Sequence, residues 1–169
     1  MNTGTQRSSA TPRFASATTT PAGVESVGKK QNQKDLTQIV VAHGSPYVAQ
    51  TTFLGNFKDF HEKAHKAIYT EGPTFVNVLC PCPRGWQYSA ELLPEICRLA
   101  VDTCIWPLYE VENGEYHLTY MPKKKLPVEE FMKLQGRFRH CFKPGNEWTI
   151  EAAQNYVDEK WEALLAKCK

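Results

Sequence analysis

The run Thr74-Phe75-Val76-Asn77-Val78-Leu79 leads without a break into Cys80-Pro81-Cys82-Pro83-Arg84-Gly85-Trp86. The first six residues read as a strand. Proline has no N–H to give a sheet ladder, so the strand is predicted to stop where the two prolines begin. Two thiols then lie in a stiff loop at the carboxyl end of a strand. In open α/β sheets that edge is where ligands bind. The loop is therefore the first place to expect a site, and Cys82 its foremost residue.

The residues before it supply the rest of a βαβ unit. Asp35 is a suitable N-cap for a short helix carrying Leu36, Ile39, Val40 and Ala42, which Gly44 would end. Residues 46–51 read as a buried strand. A helix is expected from about Asn56 to Tyr69. Phe53, just before it, and Phe57, Phe60, Ala64 and Ile68 fall on one face of it, with Lys58, Glu62 and Lys66 off that face. Glu71-Gly72-Pro73 ends the helix, and the strand 74–79 follows. Two strands joined this way are predicted to be parallel, with a right-handed crossover.

Beyond the cysteine loop, Ala90 to Cys104 reads as a helix, with Pro94 tolerated near its first turn. Leu108 to Tyr120 reads as a hairpin around Asn113-Gly114, the strongest short hairpin signal. Val128 to Leu134 is a short helix, and about Ile150 to Lys167 a longer one with Ala153, Tyr156, Val157, Trp161, Leu164 and Leu165 on one side. The class is α/β. Three stretches are expected: a polar segment 1–34, a partial α/β domain 35–107, and a hairpin and helical extension 108–169. The composition of residues 1–34, rich in Ser, Thr, Gly and Pro, predicts a loose tail.

Charge and cysteine content narrow the function. Twenty basic against 18 acidic residues leave a formal charge of +2, too little basic excess for a general nucleic-acid binder. No apolar run approaches the roughly 20 residues of a spanning helix, and Met1 to Arg7 lacks the apolar stretch of a signal peptide. A cytoplasmic chain is expected. Its six cysteines are then reduced thiols or metal ligands rather than a disulfide framework. Cys80 and Cys82 form a C-x-C pair, whereas Cys97, Cys104, Cys141 and Cys168 are scattered, which argues against a complete four-cysteine site. By composition alone the pair reads as buried structural thiols. His61-Glu62-Lys63-Ala64-His65 matches the letters of a zinc-protease motif. It sits on a crossover helix beside an apolar face, with no third ligand evident, so a solvated helix boundary is the expectation.

Two stretches together resemble the β subunit of the pyruvate:ferredoxin oxidoreductases (pyruvate synthases). One is Met1-Asn2-Thr3-Gly4-Thr5-Gln6-Arg7-Ser8-Ser9-Ala10-Thr11-Pro12. The other runs from Gly72-Pro73-Thr74 through Pro81-Cys82-Pro83-Arg84-Gly85-Trp86 to Arg98-Leu99-Ala100-Val101 and Trp106-Pro107-Leu108-Tyr109-Glu110. The resemblance implies the carboxyl-terminal half of a thiamine-diphosphate-binding fold, whose Mg²⁺ ligands and remaining cluster cysteines lie upstream. It implies that Asn2 reaches the reacting end of thiamine diphosphate and the oxoacid, and that Met1, Thr3 and Gly4 line the same cofactor turn. Cys82 corresponds to one ligand of a [4Fe-4S] cluster, and Cys80 matches none. The implied reaction is oxidative decarboxylation of pyruvate to acetyl-CoA and CO₂, with electrons passed to ferredoxin. Implied partners are the α-, γ- and δ-type subunits, ferredoxin, pyruvate and coenzyme A, with no nucleic acid and no membrane. By the same resemblance the polar segment is an arm packed on partner subunits, and the chain alone is expected to be inactive. Two alternatives stay open: an oxidoreductase for another 2-oxoacid, and a non-enzymatic α/β interaction module.

Overall fold

The structure, a computed structural model, describes residues 11–168. Ten helices and strands form around a four-stranded sheet among these residues: α1 (Leu36–Val41), β1 (Tyr47–Thr52), α2 (Phe57–Tyr69), β2 (Thr74–Leu79), α3 (Pro83–Trp86), α4 (Leu93–Asp102), β3 (Tyr109–Glu112), β4 (Glu115–Leu118), α5 (Val128–Lys133) and α6 (Glu147–Lys167). Short 3₁₀ turns precede α4, at Ala90–Leu92, and follow α5, at Gly136–Phe142.

The predicted caps form. The Asp35 carboxylate accepts from the Gln38 N–H at 3.1 Å, and the Asn56 side chain from the Asp59 N–H at 3.1 Å. Each satisfies one of the donors that a helix start leaves open. Asn113 and Gly114 both take positive φ, 49° and 88°, as a two-residue turn of this hand requires.

Strand order is β2-β1-β3-β4. The pairing of β1 with β2 is parallel, with Tyr47 opposite Thr74 and Thr52 opposite Leu79, as the βαβ reading expects. The hairpin joins the same sheet, since β3 pairs antiparallel with β1. The central strand β1 is buried along its whole length. Alternate residues serve opposite faces. On one face Thr37 of α1 donates to the Gln50 side chain at 2.8 Å and accepts from Asn77 at 2.9 Å. On the other, Thr51 donates to Asp59 of α2 at 2.5 Å. The main apolar core joins Val48, Tyr109 and Val111 of the sheet to Ile96, Leu99 and Ala100 of α4, Phe131 and Met132 of α5, and Val157, Trp161 and Leu164 of α6.

Two expectations are corrected. The aromatic and aliphatic face of α2 does not lie on the sheet: Phe57 is 61 % exposed and Ile68 76 % exposed. The buried stripe is instead Asp59 and Lys63, one turn apart. The Lys63 ammonium donates to Asp59 at 2.9 Å, to the Gln50 carbonyl at 2.8 Å and to Thr119 at 2.8 Å. With every N–H partnered, a polar pair can lie against a sheet whose outward side chains at this point are threonines. The polar segment is also not loose where it is described. Phe14 and Ala15 are buried, the Phe14 N–H donates to the Lys29 carbonyl at 2.7 Å, and the Ser16 N–H donates to the Arg137 carbonyl at 2.9 Å. One buried aromatic ring and a few backbone bonds tie down a stretch whose composition alone cannot form a core. Residues 1–10, including Met1, Asn2, Thr3 and Gly4, lie outside the described residues.

Candidate functional site

The strand β2 ends at Leu79 and the cysteine loop follows, as the prolines dictate. Cys80 is exposed and Cys82 half-buried. The two thiols thus separate: one faces solvent, the other turns back into the fold. Cys82 takes the N-cap position of α3, and its Sγ accepts the Gly85 N–H at 3.4 Å. Pro83 at the first helical position has no N–H to leave open. The Trp86 N–H closes the turn on the Cys82 carbonyl at 2.8 Å. Gln87 then takes a left-handed conformation, φ 60°, and ends α3.

This short turn carries Trp86 inward. Its indole is nearly fully buried and packs edge-on against Phe131, with ring centroids 6.1 Å apart. Over the indole, 3.7 Å from the ring centre, lies the guanidinium of Arg137, which has no exposed surface at all. Its Nε donates to the Gln135 side chain at 2.8 Å, and Gln135 is anchored in turn on the Phe131 carbonyl at 2.5 Å. The close approach of the two segments depends on Gly136. Its N–H donates to the Gln87 carbonyl at 2.9 Å, and a Cβ there would meet the Gln87 Cβ at 2.7 Å.

Four buried donors in this cluster have no acceptor among the described residues: Trp86 Nε1, the Tyr88 hydroxyl, and Arg137 Nη1 and Nη2. No Asp or Glu among the described residues forms an ion pair with Arg137. Buried polar groups are ordinarily partnered, so four orphans in one place call for an explanation. The surroundings are thiol-rich. Burial pushes the Tyr88 phenol up from its usual range; the Cys97, Cys82 and Cys80 thiols add to the rise, and the Arg137 guanidinium opposes it. Burial also pushes the Cys97 thiol up, and Cys80 contributes to that shift.

Sequence reasoning named Cys82 and Cys80 but missed Arg137, Tyr88, Gln135 and Cys97. No local pattern marks Arg137, because only the tertiary fold buries it. The other motif residues lead elsewhere. His61 and His65 are exposed, their rings tilted against those of Phe57 and Tyr69 respectively, and no group of three or more His, Cys, Asp or Glu among the described residues could hold a metal ion. A cavity of about 150 Å³ lies between the arm, the start of α1, the sheet and α6, lined in part by Arg13, Trp106, Tyr156 and Trp161. It takes none of its lining from the cysteine loop. Among the described residues, no helix is long and apolar enough to cross a membrane.

No family model matches the chain. Curated relatives do. The chain is 50 % identical over 164 residues to pyruvate synthase subunit PorB of Methanocaldococcus jannaschii, covering 97 % of this chain and 53 % of that protein. It is 45 % identical over 166 residues to the same subunit of Thermotoga maritima, covering 98 % and 51 %. It is also 45 % identical over 166 residues to ketoisovalerate oxidoreductase subunit VorB of Pyrococcus horikoshii, covering 97 % and 52 %. The chain spans about half the length of the curated relatives it matches. The resemblance to the pyruvate synthase β subunit is thus borne out along nearly all of this chain.

Proposed function

We propose that the chain forms part of the β subunit of a 2-oxoacid:ferredoxin oxidoreductase, which converts pyruvate and coenzyme A to acetyl-CoA and CO₂ and passes the electrons to ferredoxin. The observation that carries this reading is the 50 % identity to a pyruvate synthase subunit over almost the whole chain. The placement of Cys82 supports it.

Cys82 is suited to holding an iron–sulfur cluster. A half-buried thiol at the end of a strand, free of any disulfide and accepting a backbone N–H, has the surroundings of a cluster ligand. It would supply one thiolate, the other ligands coming from outside the described residues. Bound there, a [4Fe-4S] cluster supplies one-electron transfer. The chain's part is to hold the sulfur still: Pro81 and Pro83 stiffen the loop, and the Gly85 N–H steadies charge on Sγ. Cys80 points to solvent and stays outside this role. Thiamine diphosphate and Mg²⁺ belong to the reading through Asn2, Met1, Thr3 and Gly4, which lie outside the described residues. Asn2 would donate an amide hydrogen bond to the substrate carboxylate or to charge developing on its oxygen. The α-, γ- and δ-type subunits and a cytoplasmic location complete the reading.

Cys82→Ser in the complete oxidoreductase tests it. The expected result is loss or alteration of one cluster's electron paramagnetic resonance signal, together with at least a hundredfold loss of pyruvate-dependent viologen reduction. An enzyme unchanged in both would overturn the assignment. The chain alone, reconstituted with iron, sulfide, Mg²⁺ and thiamine diphosphate, is expected to reduce no viologen. The 45 % identity to a ketoisovalerate oxidoreductase subunit favours a second reading, in which the substrate is a branched 2-oxoacid. The ratio of kcat/KM for pyruvate to that for ketoisovalerate decides between them.

A further inference from the structure

The four donors that lack an acceptor among the described residues cluster around Trp86, whose ring lies 6.5 Å from that of Tyr88, and Tyr88 feels the charge of both the Cys82 thiol and the Arg137 guanidinium. Trp86 is one helical turn from Cys82, the Trp86 N–H closing on its carbonyl at 2.8 Å. Arg137 lies flat on the Trp86 ring at 3.7 Å. The cation–π contact satisfies the face of the guanidinium but not its edge, and Nη1 and Nη2 have no acceptor among the described residues. Gln135 fixes the group through Nε alone. A guanidinium does not lose its charge at ordinary pH, so a positive charge is held where no carboxylate of the described residues meets it. Its natural complement is an anionic group that arrives on this side.

We propose that Arg137, with the Tyr88 hydroxyl and the Trp86 indole N–H, is the counter-charge of the redox centre held through Cys82, and that it raises the reduction potential of that centre. This rests on the proposed function, in which Cys82 is a cluster ligand. Each one-electron reduction adds one unit of negative charge to the site. The electron comes from oxidation of the 2-oxoacid and leaves to ferredoxin. Arg137 itself exchanges neither bond nor proton. A fixed positive charge in a low-dielectric surrounding favours the more negative, reduced state, and hydrogen bonds and local charge are among the features that set cluster potentials. Arg137 is in this sense a positioning residue for charge, acting through the field and not on substrate.

Redox titration of the complete oxidoreductase, followed by electron paramagnetic resonance, tests the proposal. Arg137→Met is expected to move the potential of the Cys82-linked cluster to a more negative value, by a tenfold or larger change in the oxidised-to-reduced ratio at fixed applied potential, about 59 mV for one electron. Arg137→Lys, which keeps the charge, is expected to stay closer to the native potential than Arg137→Met. Tyr88→Phe removes one orphan donor at nearly constant volume and is expected to shift the potential the same way by less. If Arg137→Met does not assemble, Tyr88→Phe decides: a negative shift supports the proposal and an unmoved potential overturns it. Native potentials in both variants, with the cluster signal intact, would also overturn it. A native cluster signal in Cys82→Ser would overturn the ligand assignment instead, so the two failures are told apart.

Discussion

Lys63 and Arg137 are the two most deeply buried cations among the described residues, and they are buried on opposite terms. Lys63 is 1 % exposed and Arg137 not exposed at all. Lys63 has three partners: a carboxylate, a carbonyl and a hydroxyl. Among the described residues the Arg137 guanidinium has one hydrogen bond and two aromatic rings, Trp86 and Phe138. Taking an ion out of water costs several kcal/mol, which a partner of opposite charge offsets only with good geometry. The Lys63 site is complete within the chain and serves the sheet. The Arg137 site is incomplete among the described residues, and it adjoins the cysteine loop. The partnered cation needs nothing beyond the sheet, whereas the unpartnered one is the cation to which the proposal gives a redox role.

The largest expected effect separates them directly. Asp59→Ala leaves the Lys63 ammonium buried without its carboxylate and is expected to destabilise the chain by about 3–5 kcal/mol in urea unfolding. A loss below about 1 kcal/mol would show that the carbonyl and hydroxyl suffice, and the contrast would break. An intermediate effect lies in the alkaline range. Burial, only partly opposed by Asp59, lowers the Lys63 pKa below 10.5. Between that lowered value and 10.5 the unfolded chain holds more protons, so Lys63 makes stability rise with pH there. Cys104 acts the other way. Burial pushes its thiol from 9.0 up to about 11, so its contribution is full below pH 9 and is lost as pH rises through about 11. Lys63→Met is therefore expected to steepen the alkaline decline and Cys104→Ala to flatten it. Unfolding curves from pH 8 to 11 check both.

A smaller effect is expected at the rim of the Lys63 site. Lys66 bonds Glu110 and Glu112, each at 2.5 Å, with its side chain 45 % exposed. Lys66→Ala is expected to cost about 0.5–1 kcal/mol, most of it absent near 1 M salt. The smallest effect is assigned to Arg137. Arg137→Met in this chain is expected to leave stability within about 1 kcal/mol or to raise it, because an apolar side chain replaces a charge that has no carboxylate to lose. A loss of 3 kcal/mol or more in thermal unfolding would place Arg137 in the same class as Lys63.

Local signals in the sequence carried much of the fold. Asp35 and Asn56 cap as their side chains allow, Asn113-Gly114 turns the hairpin, and the prolines of the cysteine loop end β2 where the missing N–H requires. Each of these depends on neighbours within a few residues. The outward face of α2 was misjudged because periodicity counts apolar residues and cannot see that Asp59 and Lys63 satisfy each other. The arm was misjudged because its composition is polar on average, whereas the buried Phe14 and a few backbone bonds are enough to hold it. At the candidate site Cys82 was legible, since a strand, two prolines and a thiol are adjacent in the chain. Arg137 was not, being more than fifty residues from Trp86 and meeting it only because Gly136 lets two backbones touch.

The hydrogen bond from the Ser16 N–H to the Arg137 carbonyl has a mechanical consequence. It makes the arm and the guanidinium segment one strut. The Cys141 thiol set toward the Phe14 carbonyl at 4.0 Å and the Phe14 ring against Trp148 at 5.4 Å brace it further along. Any displacement of Arg137 is transmitted as a pull on Ser16, and tension on the arm reaches the cation beside the cysteine loop by the same route. Two stretches more than a hundred residues apart in the chain are thereby obliged to move together.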